Sequence, residues 1–355
     1  MGVNIGGEAK LIIIIFLWLI LILEGIKHNK NVSDTAFTLD TSMALRGICS
    51  IEIMIGHLGI ATGSVVLYPN RKAGILFVGV FLALSGYGLM YSVTNKDDYL
   101  DKFLFKRIGK LLFPAYGVFL INIVLSSIID KNSLNLIKII NFKDFFLGTN
   151  WYVWELLMLY IVFYISVKID KSFKKFPLII FCFSVVFVCI AYGLKLENPW
   201  YGSTFCFVLG ISYFIHRDDF REVFVLSNPT IKFIGCCFVM VVSIVLFFID
   251  EGVVGVLVAR NMASVFFVIV LLICLHRFSI KNNVSTWLGK YSYEIFLFHP
   301  LFINIFRSRI ENDVVYSFAV IGVTILASYV YGVCANKLES IMKKVYRQDG
   351  IPNHH

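Results

Sequence analysis

The chain has 355 residues, of which 58% are hydrophobic and 15% are charged, and its formal net charge is +9. An average soluble domain has about 25% charged residues, so a soluble fold cannot bury this much apolar surface. The basic residues lie between apolar runs and form no surface interleaved with aromatic side chains, which argues against nucleic-acid binding. We therefore predict an all-α, polytopic integral membrane protein.

About eleven apolar runs are candidates for membrane spans, since a span needs about 20 mostly apolar residues. They lie near 9–26, 43–62, 74–92, 111–129, 151–167, 177–194, 200–215, 231–249, 253–275, 291–306 and 314–335. The first run lacks the basic region and small-residue cleavage site of a secretory signal, so we predict an uncleaved span.

Only short polar gaps separate these runs, which leaves no space for a separate globular core. We predict one membrane domain at 41–336. An extra N-terminal helix and its linker (1–40) precede this domain, and a short basic cytoplasmic tail (337–355) follows it.

Lysine and arginine are distributed unevenly between alternate loops, and this bias predicts orientation because cytoplasmic loops retain positive charge during insertion. The richer loops contain Lys27, Lys30, Lys96, Lys102, Lys106, Arg107, Lys110, Lys168, Lys171, Lys174, Lys175, Arg217, Arg221, Lys232, Arg277, Lys281, Lys290, Lys337, Lys343, Lys344 and Arg347. With an odd number of spans, the N-terminus lies outside and the C-terminus in the cytoplasm. The outer loop 130–150 then suits a segment along the interface, either as an anchor or as a lid.

The eight cysteines all lie in apolar runs. Their spacing matches neither a disulfide framework nor a set of metal ligands, so we predict no metal site. Buried thiols that pack as small hydrophobic groups account for them.

Several ionisable side chains lie within the predicted spans, where they are costly and therefore mark functional sites or contacts between helices. They are Arg46, Glu52, His57, Glu155, Arg260 and His299.

Arg46 and His57 are eleven positions apart. This spacing returns them to almost the same face of an α-helix, roughly 16 Å apart along its axis. We predict Arg46 at the cytoplasmic mouth and His57 near the middle of a hydrocarbon core about 30 Å thick. Glu52 lies on a different face. His299 comes to a similar depth in its own span, so the two histidines can meet.

The segment from Arg46 to His57 resembles the arginine, ten residues, histidine signature of the type-3 acyltransferase family of membrane proteins. Further segments match in chain order: 81–88 (FLALSGYG), 106–110 (KRIGK) through 114–116 (PAY), 151–153 (WYV) with 156–160, and 289–299 (GKYSYEIFLFH). Lys110 replaces the more usual arginine, and Pro114 comes one residue late. The family core commonly has about ten spans, so the run at 9–26 looks like an addition.

This resemblance implies an O-acyltransferase that moves an acetyl group from cytoplasmic acetyl-CoA to a sugar hydroxyl of an envelope or exported polysaccharide. Acetyl-CoA is then a substrate, and no cofactor is bound permanently. The expected partners are a lipid-linked or exported glycan, membrane lipids and other polysaccharide assembly proteins, but no nucleic acid. The expected location is the inner membrane of a bacterium.

The resemblance and the predicted topology together suggest which residues bind the donor. Arg46, Lys106, Arg107 and Lys110 can form charge-assisted hydrogen bonds with its phosphates. Membrane topology alone explains the lysines equally well.

His57 is the predicted general base, because the ordinary pKa of histidine, about 6.5, suits removal of a hydroxyl proton. His299 can orient His57, bind the acceptor, act as the base itself or simply pack. Ser85 can carry the acyl group if a base lies beside it, or allow close helix packing.

Trp151, Glu155 and Arg260 have either acceptor-side or structural roles, and a buried ion pair between Glu155 and Arg260 is one such structural role.

Two other classes of protein remain open. A transporter or flippase also has many spans and intramembrane charges, but the sequence shows no pair of interrupted helices in corresponding positions of two halves. A non-catalytic component of a polysaccharide assembly complex is the other. Consumption of a donor thioester separates the enzyme from both.

Overall fold

The structure is a computed structural model that describes residues 5–29, 32–129, 151–226 and 254–348, with Phe145 and a few positions between 235 and 245. These residues form a helical bundle with one small sheet. The helices are α1 (Ile5–Gly25), α2 (Leu39–Thr62), α3 (Tyr68–Asn95), α4 (Phe103–Ile129), α5 (Trp151–Ile169), α6 (Phe176–Gly193), α7 (Phe205–Ile215), α8 (Arg217–Arg221), α9 (Arg260–Arg277), α10 (Asn283–Lys290), α11 (Ser292–Arg307) and α12 (Asp313–Gln348). The strands are β1 (Ile26–His28) and β2 (Phe278–Ile280). The chain also forms one 3₁₀ turn (Asn198–Trp200) and two π-helical turns (Glu222–Leu226 and Val254–Ala259).

Seven helices in the described part of the chain are long and apolar enough to cross a membrane. They are α2, α3, α4, α5, α6, α12 and α9 with its preceding turn. This confirms the prediction of an all-α membrane bundle. Helix α1 coincides with the first predicted span, whereas α7 and α11 have only 11 and 16 residues. The predicted span at 231–249 lies largely outside the described residues, so about eleven crossings stays a prediction.

Helix α2 is the most enclosed of the seven spans, with 78% of its most apolar window buried. The Thr38 side chain caps its start by accepting a hydrogen bond from the Thr41 N–H, and Gly63 ends it in a left-handed conformation with φ of 68°. Glycine suits this position because it has no Cβ to clash. Most of α2 is therefore surrounded by protein rather than lipid.

Glycines bring α2 against α10, and α3 against α7, at backbone contact distance. A Cβ on Gly47 would collide with the Ser285 carbonyl oxygen, and one on Gly289 with the Met43 carbonyl oxygen. In the second pair, a Cβ on Gly86 would collide with the Phe207 carbonyl oxygen. Small residues favour such close approach in membranes, and this explains the Ser-Gly segment of α3.

The ends of α1 and α9 are joined by the antiparallel sheet, in which Ile26 lies opposite Ile280. The adjacent Lys281 ammonium lies 2.9 Å from the Asp40 carboxylate, which connects the starts of α10 and α2. These four helix ends therefore lie on one side of the bundle, the side that the basic loops predict to be cytoplasmic.

The linker between β1 and α2 is held by a buried histidine. His276 Nδ1 lies 2.7 Å from the Ser33 carbonyl oxygen, so this nitrogen carries the proton. His276 Nε2 then accepts from the Tyr213 hydroxyl at 2.9 Å, and that hydroxyl accepts from the Ala36 N–H at 2.7 Å. The linker is thus fixed on α7 and α9.

Helix α12 continues to Gln348, beyond the predicted last span and into the predicted tail. Its 36 residues extend about 54 Å at 1.5 Å per residue, which exceeds a hydrocarbon core about 30 Å thick. The first part of the predicted tail is therefore a helical extension.

Candidate active site

A cavity of about 150 Å³ lies between α2, α3, α4, α5 and α11. Three cationic side chains line it: Arg46 from α2, and Arg107 and Lys110 from α4. The rest of its lining is mainly aromatic, aliphatic and hydroxyl-bearing: Phe81, Ser85, Leu111, Tyr152, Leu156, Tyr160, Ser292, Tyr293 and Phe296. The fourth predicted donor-binding residue, Lys106, is exposed and does not line this cavity.

Two tyrosines hold the Arg107 guanidinium at the cavity. Its Nε donates a hydrogen bond of 3.1 Å to the Tyr99 hydroxyl, and Nη2 donates to the same oxygen. The guanidinium carbon also lies 5.9 Å from the centre of the Tyr160 ring, a cation–π distance. Arg107 is therefore oriented before any ligand binds.

Ser85 forms its side-chain hydrogen bond with Tyr160, and the two hydroxyl oxygens are 3.1 Å apart. A phenol hydroxyl is a weak hydrogen-bond acceptor and a poor general base. This contact does not supply the adjacent base that an acyl-carrying serine needs. Together with the close packing of Gly86, it favours the packing role of Ser85.

Helix α4 contains Pro114, which removes the helical hydrogen bond to the Lys110 carbonyl. Tyrosines from two other helices brace this position. The Tyr293 hydroxyl donates to the Leu111 carbonyl oxygen at 2.6 Å, and the Tyr331 hydroxyl donates to the Pro114 carbonyl oxygen at 3.4 Å. The turn that carries Lys110 is thereby fixed to α11 and α12. The sequence analysis missed both tyrosines, although a proline within a predicted span signals that side chains must brace the helix.

His57 of α2 and His299 of α11 are in contact, with ring centroids 4.8 Å apart and an interplanar angle of 78°. His57 is partly exposed, whereas His299 is 1% exposed. His299 Nδ1 lies 3.1 Å from the Ile295 carbonyl oxygen, so this nitrogen carries the proton in the neutral ring. Its Nε2 then has a free lone pair, and it has no hydrogen-bond partner among the described residues.

Position along α2 separates the cavity from the histidine pair. Arg46 is seven residues after Leu39, whereas His57 is 18 residues after Leu39 and five before Thr62. At 1.5 Å per residue, the two side chains are roughly 16 Å apart along the axis. His57 thus lies in the half of α2 nearer to its predicted outer end, rather than at the middle of the helix.

Phe296 lies between the cavity and the histidines. It lines the cavity, and its ring centroid is 5.6 Å from that of His299. Its ring centroid also lies 4.9 Å from that of Tyr152 and 6.3 Å from that of Trp151. Phe296 therefore contacts both the cavity and the histidine pair, and Trp151 is one of the aromatic side chains packed against it.

Glu155 is fully buried near the start of α5. Its Oε1 accepts a hydrogen bond of 2.7 Å from the Thr204 hydroxyl, while Oε2 has no partner among the described residues. The ion pair with Arg260, one of the predicted alternatives, is not formed between these two residues. The partner of the Glu155 carboxylate is instead the Thr204 hydroxyl, from the turn before α7.

Glu52 bonds to two other helices. Its Oε1 accepts from the Trp18 indole N–H of α1 at 2.9 Å, and its Oε2 accepts from the Asn70 amide of α3 at 2.8 Å. The Asn70 carbonyl in turn leaves no space for a Cβ at Gly56, the residue before His57. Glu52 therefore has a structural role: it joins α2 to α1 and α3, and its partner Asn70 packs against Gly56, the residue next to His57.

The fold and this site define the class of protein: a helical membrane protein in which a cation-lined cavity lies beside a pair of histidines. The family model described as an acyltransferase domain matches residues 40–333. The chain therefore belongs to the type-3 acyltransferase family and is a membrane acyltransferase. Neither a search of curated proteins nor a search of solved structures found a match.

Proposed function

We propose that this acyltransferase moves an acetyl group from cytoplasmic acetyl-CoA to a sugar hydroxyl of an envelope or exported polysaccharide in a bacterial inner membrane. The observation that carries the proposal is the alignment of a cation-lined cavity and a histidine pair along one enclosed helix, α2. The proposed orientation has the N-terminus outside and the C-terminus in the cytoplasm. Donor and acceptor then approach from opposite sides.

The three cations of the cavity suit an anionic donor. Arg46 and Arg107 each present a planar guanidinium that can bind a phosphate through two parallel hydrogen bonds, and Lys110 adds a point charge. Exposed Lys106 contributes positive potential at the mouth, which attracts an anion without contacting it. We assign the phosphates of coenzyme A to this end.

The distance between Arg46 and His57 suits a donor with a long flexible arm. Roughly 16 Å along the helix separates the phosphate-binding end from the proposed base. The thioester can therefore reach His57 while the charged head stays at the cavity. Acetyl transfer across the membrane then does not require transport of the whole donor.

In the proposed reaction, His57 removes the proton of the sugar hydroxyl as its oxygen attacks the thioester carbonyl. The new carbon–oxygen bond forms, the carbon–sulfur bond breaks, and the proton on His57 passes to the leaving thiolate. The products are the acetyl ester and free coenzyme A. His299 is a positioning residue in this scheme, because its free Nε2 lone pair can accept a hydrogen bond from protonated His57.

The test is acetyl-CoA consumption by purified protein in nanodiscs, with thiol release followed in the presence of polysaccharide acceptor. We expect thiol release coupled to ester formation. Solute flux without ester formation would instead identify a transporter or flippase. Neither flux nor ester formation would identify a non-catalytic component of an assembly complex.

A further inference from the structure

We infer that Phe296, supported by Tyr152, determines the size of the acyl group that reaches the histidine pair. The inference rests on the proposed function and concerns a property that the proposal leaves open, namely discrimination between acetyl and longer acyl donors. It makes Phe296 a specificity-determining residue rather than a catalytic one.

The first support is the position of Phe296 along the bundle. Helices α2 and α11 run in the same direction, because α10, which directly precedes α11, packs its Gly289 against Met43 near the start of α2. Phe296 precedes His299 by three residues, or about 4.5 Å along the axis. It is therefore displaced from the histidine towards the Arg46 end, and lies on the route from the cavity to His57.

The second support is the packing around its ring. Phe296 and Tyr152 are 7% and 6% exposed, and their ring centroids are 4.9 Å apart. The His299 ring centroid is 5.6 Å away, so the Phe296 ring occupies the space directly beside the histidine. An acyl chain longer than acetyl has to occupy part of that volume, and well-packed interiors accommodate added methylenes poorly.

The third support is the chemistry of the Phe296 side chain. Phe296 has no hydrogen-bonding group, so it cannot take part in proton transfer, and its contribution at this point is volume. One methylene in an apolar pocket changes specificity by about 10- to 200-fold. Acetyl and butyryl differ by two methylenes, so the Phe296 side chain can discriminate strongly between the two acyl groups.

The experiment compares acetyl-CoA, butyryl-CoA and hexanoyl-CoA as donors for the wild-type protein and for Phe296→Leu and Phe296→Ala. We expect wild-type kcat/KM to fall by about 10-fold or more from acetyl to butyryl. Phe296→Ala should raise the butyryl-to-acetyl ratio by about 10-fold or more, and Phe296→Leu should raise it less.

Phe298→Ala is the matched control. Phe298 lies on the same helix and is 2% exposed, but it packs against Phe302 and Tyr331 rather than lining the cavity. Its truncation should leave the donor ratio unchanged within about twofold, since only volume beside the acyl group affects specificity.

An unchanged ratio in folded, active Phe296→Ala overturns the inference and leaves the proposed function intact. Loss of all activity in both folded Phe296 variants also overturns it, since a size filter is not required for acetyl transfer. A wild-type protein that consumes none of the three donors overturns the proposed function, and the inference with it.

Discussion

The indole N–H of Trp18 donates a 2.9 Å hydrogen bond to the Glu52 carboxylate. This bond joins a helix that precedes the family match to a helix within it. Trp18 belongs to α1, which precedes the family match, whereas Glu52 lies between Arg46 and His57 on the central helix. The same carboxylate binds Asn70 at the start of α3. The additional helix is therefore attached directly to the helix that carries the site.

Trp18→Phe should lower the stability of the protein, because it leaves a buried carboxylate oxygen without its donor. Interhelical hydrogen bonds in membranes contribute about 0.6 kcal/mol on average and up to about 1.7 kcal/mol. The measurement is the thermal midpoint of the purified protein in detergent. Trp287→Phe is the control, since Trp287 is exposed and makes ring contacts with Tyr291 and Tyr329. Equal shifts in both variants would contradict the structural role of this bond.

His57→Ala should retain expression, membrane insertion and donor binding, but lose ester formation by about 10²-fold or more, the effect of removing a general base. His299→Ala should lose less activity and leave donor affinity unchanged, because His299 acts through His57. The measurements are glycan O-acetylation in complemented cells, normalised to protein level, and donor binding by purified protein. If His57→Ala acetylates normally while His299→Ala is inactive, the base is misassigned. If both remain active, the catalytic site lies elsewhere.

Arg46→Ala should weaken donor binding, and Arg46→Lys should restore it only in part, since an ammonium cannot reproduce a bidentate guanidinium contact with phosphate. Lys110→Ala should weaken binding as well, because Lys110 lines the cavity. The matched control is Lys106→Ala, in which an exposed lysine of the same helix is lost. Titration of acetyl-CoA against each purified variant gives the dissociation constants. A larger effect at Lys106 than at Lys110 would place the donor outside the cavity.

The predicted orientation can be tested with two exposed lysines at opposite ends of α6. Single cysteines replace Lys171 or Lys195 on a cysteine-free background, and an impermeant reagent is applied to intact cells. We expect labelling at position 195 only, because the loop before α6 is the basic one. Labelling at 171 but not at 195 would reverse the orientation, and with it the side from which the donor enters.

Apolar runs were sufficient to predict the seven long apolar helices that the structure describes, because each span must satisfy its own backbone hydrogen bonds. They did not predict the short helix α10, which is not an apolar run. Helical spacing predicted Arg46 and His57 on one face of one helix, roughly 16 Å apart along its axis, and both residues belong to α2. It could not predict the partner of Glu155, since the Thr204 hydroxyl comes from a turn with no distinctive pattern. Phe296 was missed for a related reason: aromatic residues are so common in this chain that its position beside His299 becomes visible only when α11 is packed.

The contact between Gly47 and Ser285, and that between Gly289 and Met43, place the backbones of α2 and α10 against each other near Arg46. Backbones at this separation cannot slide past each other without collision, because closely packed interiors leave no free volume. Arg46 and His57 also share a single helix, so the distance between them is constant. In the proposed reaction this constant distance therefore sets the minimum length of the donor's flexible arm. A thioester whose arm is too short cannot reach the histidines through any rearrangement of α2.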